Sequence, residues 1–510
     1  MRQHARKDSF NVASELLDQN AVQRGDKTAL YFGSEKITYA TVLENVNRFA
    51  NILSELNIKP TERVLIHLPD SPAFVYAFLG SIKYGAWPVP VNTMLEKKDY
   101  EYLLADSEAR VLVTEKASAA ACAKTSHLCY RLFSDDGLDA WLSRVSRDAD
   151  THPAREDDIA FWLYSSGSTG RPKGTPHKHM DMLFTAESYG RHIVRITEDD
   201  IVFSVSRLFF AYGLGNSLSL PFRHGASTVL LSSPPSPENV MDVLAHYQPT
   251  LFFGVPTQYN SLLKRMNGTR FPSIRACASA GEALPPEVFR KWKEKTGLPI
   301  LDGIGSTEAL HIFISNRGEE FREGTSGKLV PGFEAKIVDA SGDEVPAGET
   351  GHLLIRGRSL TPGYWNRPQE NAEKIDANGW FHTGDMYSQE DGFFTYQGRG
   401  DDMLKVGGIW VSPVEIENVL MEHGAVHECA VVGHEIEGLI KPFAYVVPES
   451  EAAPTEKDRA ELGDRLLQYA GSRLPRFKCP WGVIFPEELP KTATGKIQRF
   501  KLRALERRAA

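Results

Sequence analysis

Cysteine and long apolar runs are both scarce in this sequence. Its 510 residues include only five cysteines, and no two of them form a C-x-x-C pair. An odd count without metal-ligand spacing predicts reduced, buried thiols and argues against a disulfide framework or a zinc site. The most apolar stretch, residues 73–91, is interrupted by Lys83, two glycines and two prolines. It therefore predicts a buried helix and strand, because a membrane span needs about 20 continuous apolar residues.

An excess of positive charge is missing as well. Lys and Arg number 58 against 66 Asp and Glu, which gives a formal net charge of −8. Since nucleic-acid binding relies on basic surfaces, we expect no nucleic-acid partner. A basic cluster near the C-terminus is interpreted as a solvated helix that carries Lys496, Arg499, Lys501 and Arg503. The first ten residues lack the apolar segment of a secretory signal, so we expect a cytoplasmic protein without a membrane partner.

The order of helical and strand-like segments predicts the fold class. They alternate from about residue 11 to residue 255, which predicts an α/β fold with parallel-rich sheets flanked by helices. After residue 325, strand-like segments with turn signals at 341–343 and 391–392 predict an antiparallel subdomain. A glycine-rich linker at 398–408 then precedes Ser412, a candidate helix N-cap whose capping box Glu415 completes. The remaining 110 or so residues predict a small α+β domain.

The segment YSSGSTGRPKG at residues 164–174 has the composition of a phosphate-binding loop. Small residues let backbone N–H groups converge on an anion, hydroxyls add donors, and Lys173 adds charge. The spacing is not that of a Walker A loop, because Lys173 is followed by Gly174 and Thr175. A plain Gly/Ser surface loop would explain the glycines but not the Arg171-Pro172-Lys173 sequence. The segment therefore indicates another class of nucleotide enzyme.

Four further motifs follow in order: GIGSTE at 303–308, FHTGD at 381–385, GRGDD at 398–402 and PKTATGK at 490–496. A hydroxyl beside a carboxylate in the first suits a phosphate contact next to a Mg²⁺ ligand, although a helix N-cap with an acidic first turn is the alternative. The carboxylate of Asp385 in FHTGD suits a contact with the ribose hydroxyls, and an ordinary turn aspartate is the alternative. The third motif, GRGDD, combines Arg399 with the acidic pair Asp401-Asp402, for which a solvated turn is the plain alternative. Each motif is weak alone, and the ordered set is specific.

With these motifs the chain resembles the adenylate-forming superfamily, which includes acyl- and aryl-CoA ligases, nonribosomal peptide adenylation domains and firefly luciferase. The resemblance extends from about residue 10 to residue 503. Within it, the segments 208–216, 252–259, 279–285 and 302–317 look like the benzoate–CoA ligase branch. The implied fold is a large N-terminal domain, residues 1–400, with a distorted β-barrel subdomain at about 325–400. A small mobile C-terminal domain, residues 401–510, would rotate about a hinge near Asp401.

The resemblance also implies a nucleotide site and catalytic residues. The ATP phosphates are assigned to Ser165, Ser166, Gly167, Ser168, Thr169, Gly170 and Lys173. The ribose hydroxyls are assigned to Asp385 and Arg399, and the adenine to Gly281, Glu282, Ala283, Asp302, Gly303 and Ile304. Thr307 would contact phosphate and Glu308 would hold Mg²⁺. Catalytic Lys496 would reach the attacking carboxylate and the α-phosphate, and Gly408 would line the tunnel for the pantetheine arm of coenzyme A.

An aryl pocket is expected where aromatic and small residues alternate. Phe210, Ala211, Tyr212 and Gly213 suit a flat ring, and the resemblance adds Gly281, Ile304, His311 and Ile312. The alternative for the aromatic run is plain hydrophobic core. His311 has no second histidine at helical spacing, so a packing or substrate-facing role is favoured over metal binding. His177 and His179 are interpreted as the start of a helix.

The sequence thus predicts an ATP-dependent aryl–CoA ligase for benzoate or a simply substituted benzoate, such as 2-aminobenzoate or hydroxybenzoate. Its cofactors and co-substrates would be ATP, Mg²⁺ and coenzyme A, and the enzyme would be a monomer or homodimer. The alternative is an aryl-AMP ligase that loads a carrier-protein thiol. A catalytically silent nucleotide-binding protein is disfavoured because Lys496, Glu308 and Lys173 are all present. Cys479 stands where some relatives are basic, so individual contacts to the coenzyme A phosphates are not assigned.

Overall fold

The computed structural model describes residues 10–119, 127–135, 138–165, 171–266, 268, 270–406, 409–436, 438–449, 452–453, 455–491 and 497–505. Its strands, in chain order, are β1 (Thr28–Phe32), β2 (Glu35–Thr38), β3 (Arg63–His67), β4 (Trp87–Pro90), β5 (Val111–Thr114), β6 (Tyr130–Phe133), β7 (Ile159–Ser165), β8 (Lys173–Lys178), β9 (Ile201–Ser204), β10 (Ser227–Leu230), β11 (Leu251–Gly254), β12 (Ala276–Ser279), β13 (Ile300–Gly305), β14 (Ile312–Ser315), β15 (Lys328–Leu329), β16 (Phe333–Val338), β17 (Gly351–Gly357), β18 (Phe381–Glu390), β19 (Phe393–Arg399), β20 (Leu404–Val406), β21 (Ile409–Val411), β22 (Val426–Ile436), β23 (Leu439–Pro448) and β24 (Gly482–Ile484).

The helices cover the sheets and connect their strands. In chain order they are α1 (Val12–Arg24), α2 (Tyr39–Glu55), α3 (Pro72–Tyr84), α4 (Lys97–Ser107), α5 (Leu138–Leu142), α6 (His179–Thr185), α7 (Ala211–Leu214), α8 (Leu220–His224), α9 (Pro237–Tyr247), α10 (Pro256–Arg265), α11 (Pro286–Thr296), α12 (Pro368–Lys374), α13 (Pro413–Met421), α14 (Glu456–Gly471) and α15 (Arg499–Leu505). Wider π-helical turns continue α6 over Ala186–Arg191 and α7 over Gly215–Ser219.

Two sheets give the large N-terminal part its parallel character. The nine-stranded sheet has the order β15-β14-β13-β12-β11-β9-β10-β1-β2. Its six central strands, from β13 to β1, run parallel, while β2, β14 and β15 pair antiparallel at the edges. A second sheet of order β4-β3-β5-β6 is parallel throughout. Parallel strands are buried on both faces by crossover helices, and α3 illustrates this because nearly all of its residues are buried.

The predicted antiparallel subdomain is a four-stranded sheet of order β16-β17-β18-β19. After it, β20 and β21 pair as a short hairpin, and the C-terminal strands β22, β23 and β24 form a separate mixed sheet. Helices α13 and α14 pack on that sheet around their own apolar cluster. The predicted fold class, a large parallel-rich α/β part followed by a smaller α+β part, is confirmed.

Several local predictions can be compared with the structure. The apolar stretch at 73–91 is a buried helix and strand, α3 and β4, as expected. Ser412 is the N-cap of α13, since its hydroxyl accepts the Glu415 N–H at 3.2 Å. The Glu415 carboxylate instead pairs with Lys478, 2.6 Å from its Nζ, so the sequence did not anticipate its partner. No helix among the described residues is both long and apolar enough to cross a bilayer.

The expected burial of the thiols is only partly correct. Cys277 and Cys429 are buried, whereas Cys129 is exposed and Cys479 is half-buried. Cys122 lies outside the described residues. Burial raises the pKa of Cys277 to about 12, so this thiol stays protonated and acts as a small apolar side chain.

Candidate active site

The candidate site is built at the carboxyl ends of the central parallel strands. Strand β9 lies between β10 and β11, and the chain builds the sheet outwards in both directions from this point. Parallel α/β sheets bind ligands in the crevice at such a switch point. Strands β9, β12 and β13 end at Ser204, Ser279 and Gly305. Many of the site residues predicted from the sequence lie on the segments that follow these strand ends.

The stem of the phosphate loop is the hairpin of β7 and β8. Ser165 ends β7 and lies opposite Lys173, the first residue of β8. Lys173 forms an ion pair with Glu370 of α12, and its ammonium lies 5.1 Å from the ring centre of Tyr364. The predicted loop residues between the two strands, Ser166, Gly167, Ser168, Thr169 and Gly170, lie outside the described residues. The hairpin therefore anchors the two ends of the loop on paired strands and places one cation, Lys173, beside it.

Side chains from distant segments hold both sides of this stem. The Tyr164 hydroxyl donates to Asp106 at 2.9 Å, and the Tyr102 hydroxyl donates to the Pro172 carbonyl at 2.9 Å. Arg367 connects these two contacts, because it donates to Asp106 and to the Tyr102 oxygen, each at 2.9 Å. Burial and Asp106 raise the pKa of Tyr164 well above its usual range, so the phenol remains a donor. We name Tyr102, Asp106 and Arg367 the stem collar, which the sequence motifs did not reveal.

The metal turn, residues 306–310, follows β13 without forming a helix. The alternative of a helix N-cap at this position is therefore wrong, although the Ser306 hydroxyl does accept the Ala309 N–H at 3.1 Å. The strand before it continues to Gly305 because β14 pairs with its end. Leu310 closes the turn with φ 65°, a left-handed conformation that is uncommon for such a residue.

Glu308 is oriented by hydrogen bonds from a loop that follows β17. The Tyr364 hydroxyl donates to Glu308 Oε1 at 2.8 Å, and the Thr361 N–H donates to the Glu308 carbonyl at 2.8 Å. Burial and the Glu308 charge raise the pKa of Tyr364 far above its usual range. The phenol therefore stays protonated and holds the carboxylate in place.

A magnesium ion fits this carboxylate only in a site completed by a nucleotide. No group of three or more His, Cys, Asp or Glu side chains able to hold a metal occurs in the described residues. Mg²⁺ commonly takes one or two protein carboxylates, with phosphate oxygens and water as the other ligands. Glu308 beside the phosphate-loop stem matches that pattern.

Asp385 and Arg399 face each other on neighbouring strands β18 and β19. They are register partners, and Arg399 Nη1 lies 3.2 Å from Asp385 Oδ1. Asp401 follows two residues later, 55% exposed and 3.6 Å from Arg399 Nε. Asp402 is not a solvated turn residue, because its mostly buried carboxylate accepts from Arg503 at 2.8 Å. The structure thus brings the predicted ribose pair together, and the hinge role of Asp401 stays a prediction.

The two segments predicted to sandwich the adenine lie side by side. Ser279 at the end of β12 is the register partner of Asp302 in β13, so Gly281, Glu282 and Ala283 emerge beside Asp302, Gly303 and Ile304. Gly281 has φ 96°, which only glycine adopts readily. One carboxyl oxygen of Asp302, Oδ1, is buried and has no hydrogen-bond partner within the described part of the chain, and burial raises the pKa of this carboxyl well above the usual range.

The predicted aryl pocket centres on His311. Its Nε2 lies 3.1 Å from Asn216 Oδ1, and its ring centre lies 5.8 Å from that of Tyr212 and 4.8 Å from that of Tyr189. Burial lowers the pKa of His311 to about 3, so the imidazole is neutral. His311 Nδ1 is buried without a hydrogen-bond partner among the described residues. The buried hydroxyls of Tyr189 and Tyr212 lie near Ser315 and Asn216. Asn216 and Tyr189 were not predicted as site residues.

The neighbours of this cluster divide between pocket wall and core. Phe209 and Ala211 belong to the main apolar core, and the substrate-binding role of Ala211 stays a prediction. Phe210 is only half-buried and packs on Phe209, with 4.7 Å between ring centres. Gly213 has a backbone reason to be glycine, because a Cβ there would lie 2.0 Å from the Arg207 carbonyl oxygen. Ile312 is buried in β14.

Two predicted catalytic residues, Lys496 and Gly408, lie outside the described residues. An isolated antiparallel bridge joins Lys491 to Ile497, and the Gln498 N–H donates to the Pro490 carbonyl at 2.8 Å. The chain therefore returns on itself on either side of the segment that contains Lys496.

The domain description "AMP-binding enzyme" matches residues 17–365, and "AMP-binding enzyme C-terminal domain" matches residues 415–496. This chain belongs to the AMP-binding enzyme family. It is 44% identical to a benzoate–CoA ligase from Thauera aromatica, covering 97% of this chain and 96% of that protein.

Two solved structures of the family are similar over nearly the whole chain. A benzoate CoA ligase from Burkholderia xenovorans LB400 has a TM-score of 0.89 at 40% identity, covering 97% of this chain and all of that one. The anthranilate CoA ligase AuaEII, in complex with anthranoyl-AMP, has a TM-score of 0.93 at 37% identity, covering 98% of both chains. The predicted membership of the benzoate–CoA ligase branch is confirmed.

Proposed function

We propose that this enzyme is an ATP-dependent aryl–CoA ligase acting on benzoate or a simply substituted benzoate. It forms aryl-AMP with release of pyrophosphate and then the aryl–CoA thioester with release of AMP. The main support is the similarity to a benzoate–CoA ligase over nearly the full length of both chains. The enzyme would work in the cytoplasm, where ATP and coenzyme A are available, as a monomer or homodimer.

The charge distribution of the site supports this order of steps. In the first step a carboxylate oxygen bonds to the α-phosphorus while the bond to pyrophosphate breaks. Two anions meet there, so preorganised cations and donors stabilise the transition state. Lys173 and Lys496 are the side chains assigned to this task, and Glu308 would hold the Mg²⁺ that neutralises phosphate charge when bound. Lys173 would leave Glu370 for the phosphates, since both compete for the same ammonium.

The pocket supports an aromatic acid whose carboxylate points away from His311. A neutral imidazole beside the Tyr212 ring offers packing surface but no positive charge. The carboxylate is therefore left to react at the nucleotide, where Asp385 and Arg399 would hold the ribose and Gly281 would approach the adenine. Gly408 is assigned to the pantetheine arm, whose thiol attacks the acyl carbon as AMP leaves.

Product mass spectrometry tests this proposal directly. The enzyme is incubated with ATP, Mg²⁺ and coenzyme A against benzoate, 2-aminobenzoate, hydroxybenzoates, phenylacetate, cinnamate and short fatty acids. We expect aryl–CoA from the benzoates alone. Thioester from fatty acids only would overturn the aromatic assignment, and aryl-AMP without thioester would support a carrier-protein thiol as the acceptor.

A variant of Lys496 tests the catalytic assignment separately. Lys496→Ala should reduce aryl-AMP formation strongly while thioester formation from supplied aryl-AMP changes little, because the lysine acts at the α-phosphate. An unchanged rate of aryl-AMP formation would contradict the role proposed for Lys496.

A further inference from the structure

His177 is a buried histidine that the predicted chemistry does not use. It lies in β8, not at the start of a helix as the sequence suggested, while His179 does begin α6. The His177 side chain is fully buried and stacks on Phe161, with 5.4 Å between ring centres. Its Nε2 lies 2.8 Å from the Thr307 carbonyl oxygen, and its Nδ1 lies 3.1 Å from Asp181 Oδ2.

The partners of His177 fix the proton on Nε2. A carbonyl oxygen only accepts hydrogen bonds, so the Nε2 that faces Thr307 must carry a hydrogen. The fully buried Asp181 carboxyl faces Nδ1 and holds the ring in the orientation that points Nε2 at Thr307. Asp181 is itself fixed, because its Oδ2 accepts the Lys178 N–H at 2.9 Å.

The metal turn depends on such bonds because it lies in neither a helix nor a strand. Besides the His177 contact, the Thr307 carbonyl accepts only a local bond from the Leu310 N–H at 3.0 Å among the backbone bonds of the described residues. A second connection to β8 runs through Thr361, whose N–H donates to Glu308 and whose hydroxyl donates to the Pro176 carbonyl at 2.7 Å. Strand β8 is thus hydrogen-bonded to the metal turn directly, through His177, and indirectly, through Thr361.

Strand β8 also carries Lys173 at its other end, four residues before His177. One strand therefore connects the phosphate-loop cation to the turn that presents Thr307 and Glu308. These groups must act together on a single nucleotide, and their relative position has to be set before the reaction.

We propose that His177, oriented by Asp181, is a positioning residue that holds the metal turn in register with the phosphate-loop strand. This inference rests on the proposed adenylation function. His177 does not touch substrate in this role and acts only through the Thr307 backbone. Its loss should therefore impair Mg²⁺-dependent nucleotide binding and adenylation and leave the transfer to coenzyme A intact.

Two amide variants of equal polarity separate positioning from general packing. The Gln side chain in His177→Gln reaches about as far as Nε2 and can donate to Thr307. The shorter Asn side chain in His177→Asn reaches only as far as Nδ1, so it can contact Asp181 but not Thr307. His177→Phe removes both bonds and keeps the ring, and His67→Phe is the matched control. His67 is also buried, bonded to Thr114 at 3.0 Å, and has no assigned role.

The assays are pyrophosphate release without coenzyme A, thioester formation from supplied benzoyl-AMP, and calorimetric binding of ATP across a Mg²⁺ series without aryl acid. Losing a residue that orients a metal ligand typically costs 10–100-fold. We expect His177→Asn and His177→Phe to lose about that much in adenylation and to need correspondingly more Mg²⁺ for ATP binding. His177→Gln and His67→Phe should stay within about threefold of the parent enzyme, and benzoyl-AMP turnover should be unaffected throughout.

Equal adenylation by His177→Gln and His177→Asn would overturn the inference, as would equal losses in both half-reactions. If His177→Phe does not fold, the two amide variants still decide the matter. Failure of the parent enzyme to adenylate any acid would instead contradict the proposed function, so the two failures are distinguishable.

Discussion

Removing the Tyr364 hydroxyl tests whether the orientation of Glu308 matters for adenylation. In the structure that hydroxyl donates to Glu308 Oε1 at 2.8 Å, and the Tyr364 ring lies beneath the Lys173 ammonium. Tyr364→Phe keeps the ring and its packing and deletes only the donor. A hydrogen bond to a charged group contributes roughly 1.5–3 kcal/mol. Since about 1.4 kcal/mol corresponds to a tenfold change in rate, the variant should lose roughly 10- to 150-fold in adenylation kcat/KM.

Pyrophosphate release with benzoate, ATP and Mg²⁺ measures this loss, and thermal unfolding monitors the fold. Tyr39→Phe is the matched control, because the buried Tyr39 hydroxyl donates to the Ala226 carbonyl at 2.6 Å and lies outside the proposed site. We expect the control to affect stability alone. A decrease of less than about threefold for Tyr364→Phe, or an equal decrease for the control, would refute the reasoning from charge-assisted hydrogen bonding.

Three further predictions concern the stem collar, the aryl pocket and acid stability. Asp106→Asn should raise the KM for ATP roughly 5- to 30-fold, from ~1–2 kcal/mol of weakened bonds to both sides of the stem, and unchanged ATP binding by calorimetry would contradict this. Gly215→Ala should lower benzoate kcat/KM more than Gly318→Ala, because a Cβ at Gly215 would lie 2.3 Å from the His311 ring and one at Gly318 would meet nothing within 4 Å; equal rates would count against the pocket. Burial lowers the pKa of His179 to about 4, so the unfolded chain binds a proton that the folded chain does not as the pH falls from 6.5 towards 4. The free energy of unfolding should therefore fall as the pH falls over that range. In urea titrations, His179→Gln should reduce the slope of the free energy of unfolding against pH by up to about 1.4 kcal/mol per pH unit. An unchanged slope would contradict the lowered pKa of His179.

Local rules were sufficient for many of the elements. Helix α3 begins after Ser71, whose hydroxyl accepts the Phe74 N–H, has Pro72 in its first turn, and ends at Gly85 with φ 95°. These features act over a few residues and can be recognised in any chain. The end of β13 was harder to predict, because Gly305 is extended only through its pairing with β14. A strand edge that is defined by a partner is not encoded in its own sequence.

The order of the motifs was also available from the sequence, and with it the family and the expected nucleotide chemistry. Lys173, Glu308, Asp385 and Arg399 were all identified before their positions were known. The structure adds that Asp385 and Arg399 are ion-paired register partners and that Lys173 is paired with Glu370. The second of these pairs had no signal in the motifs, because Glu370 belongs to a separate helix.

The sequence by itself determined the fold class, the motif order and the limits of some helices, such as α3 and the start of α13, since each depends on residue types at short separations. Tertiary structure alone decided which side chains support the reactive ones. The bonds from Tyr164 to Asp106, from His177 to Thr307 and from His311 to Asn216 span 58, 130 and 95 residues. Such contacts form because packing brings distant segments together and their buried polar groups must then find partners. No local pattern specifies the partner of a buried donor, so these supporting residues became visible only in the folded chain.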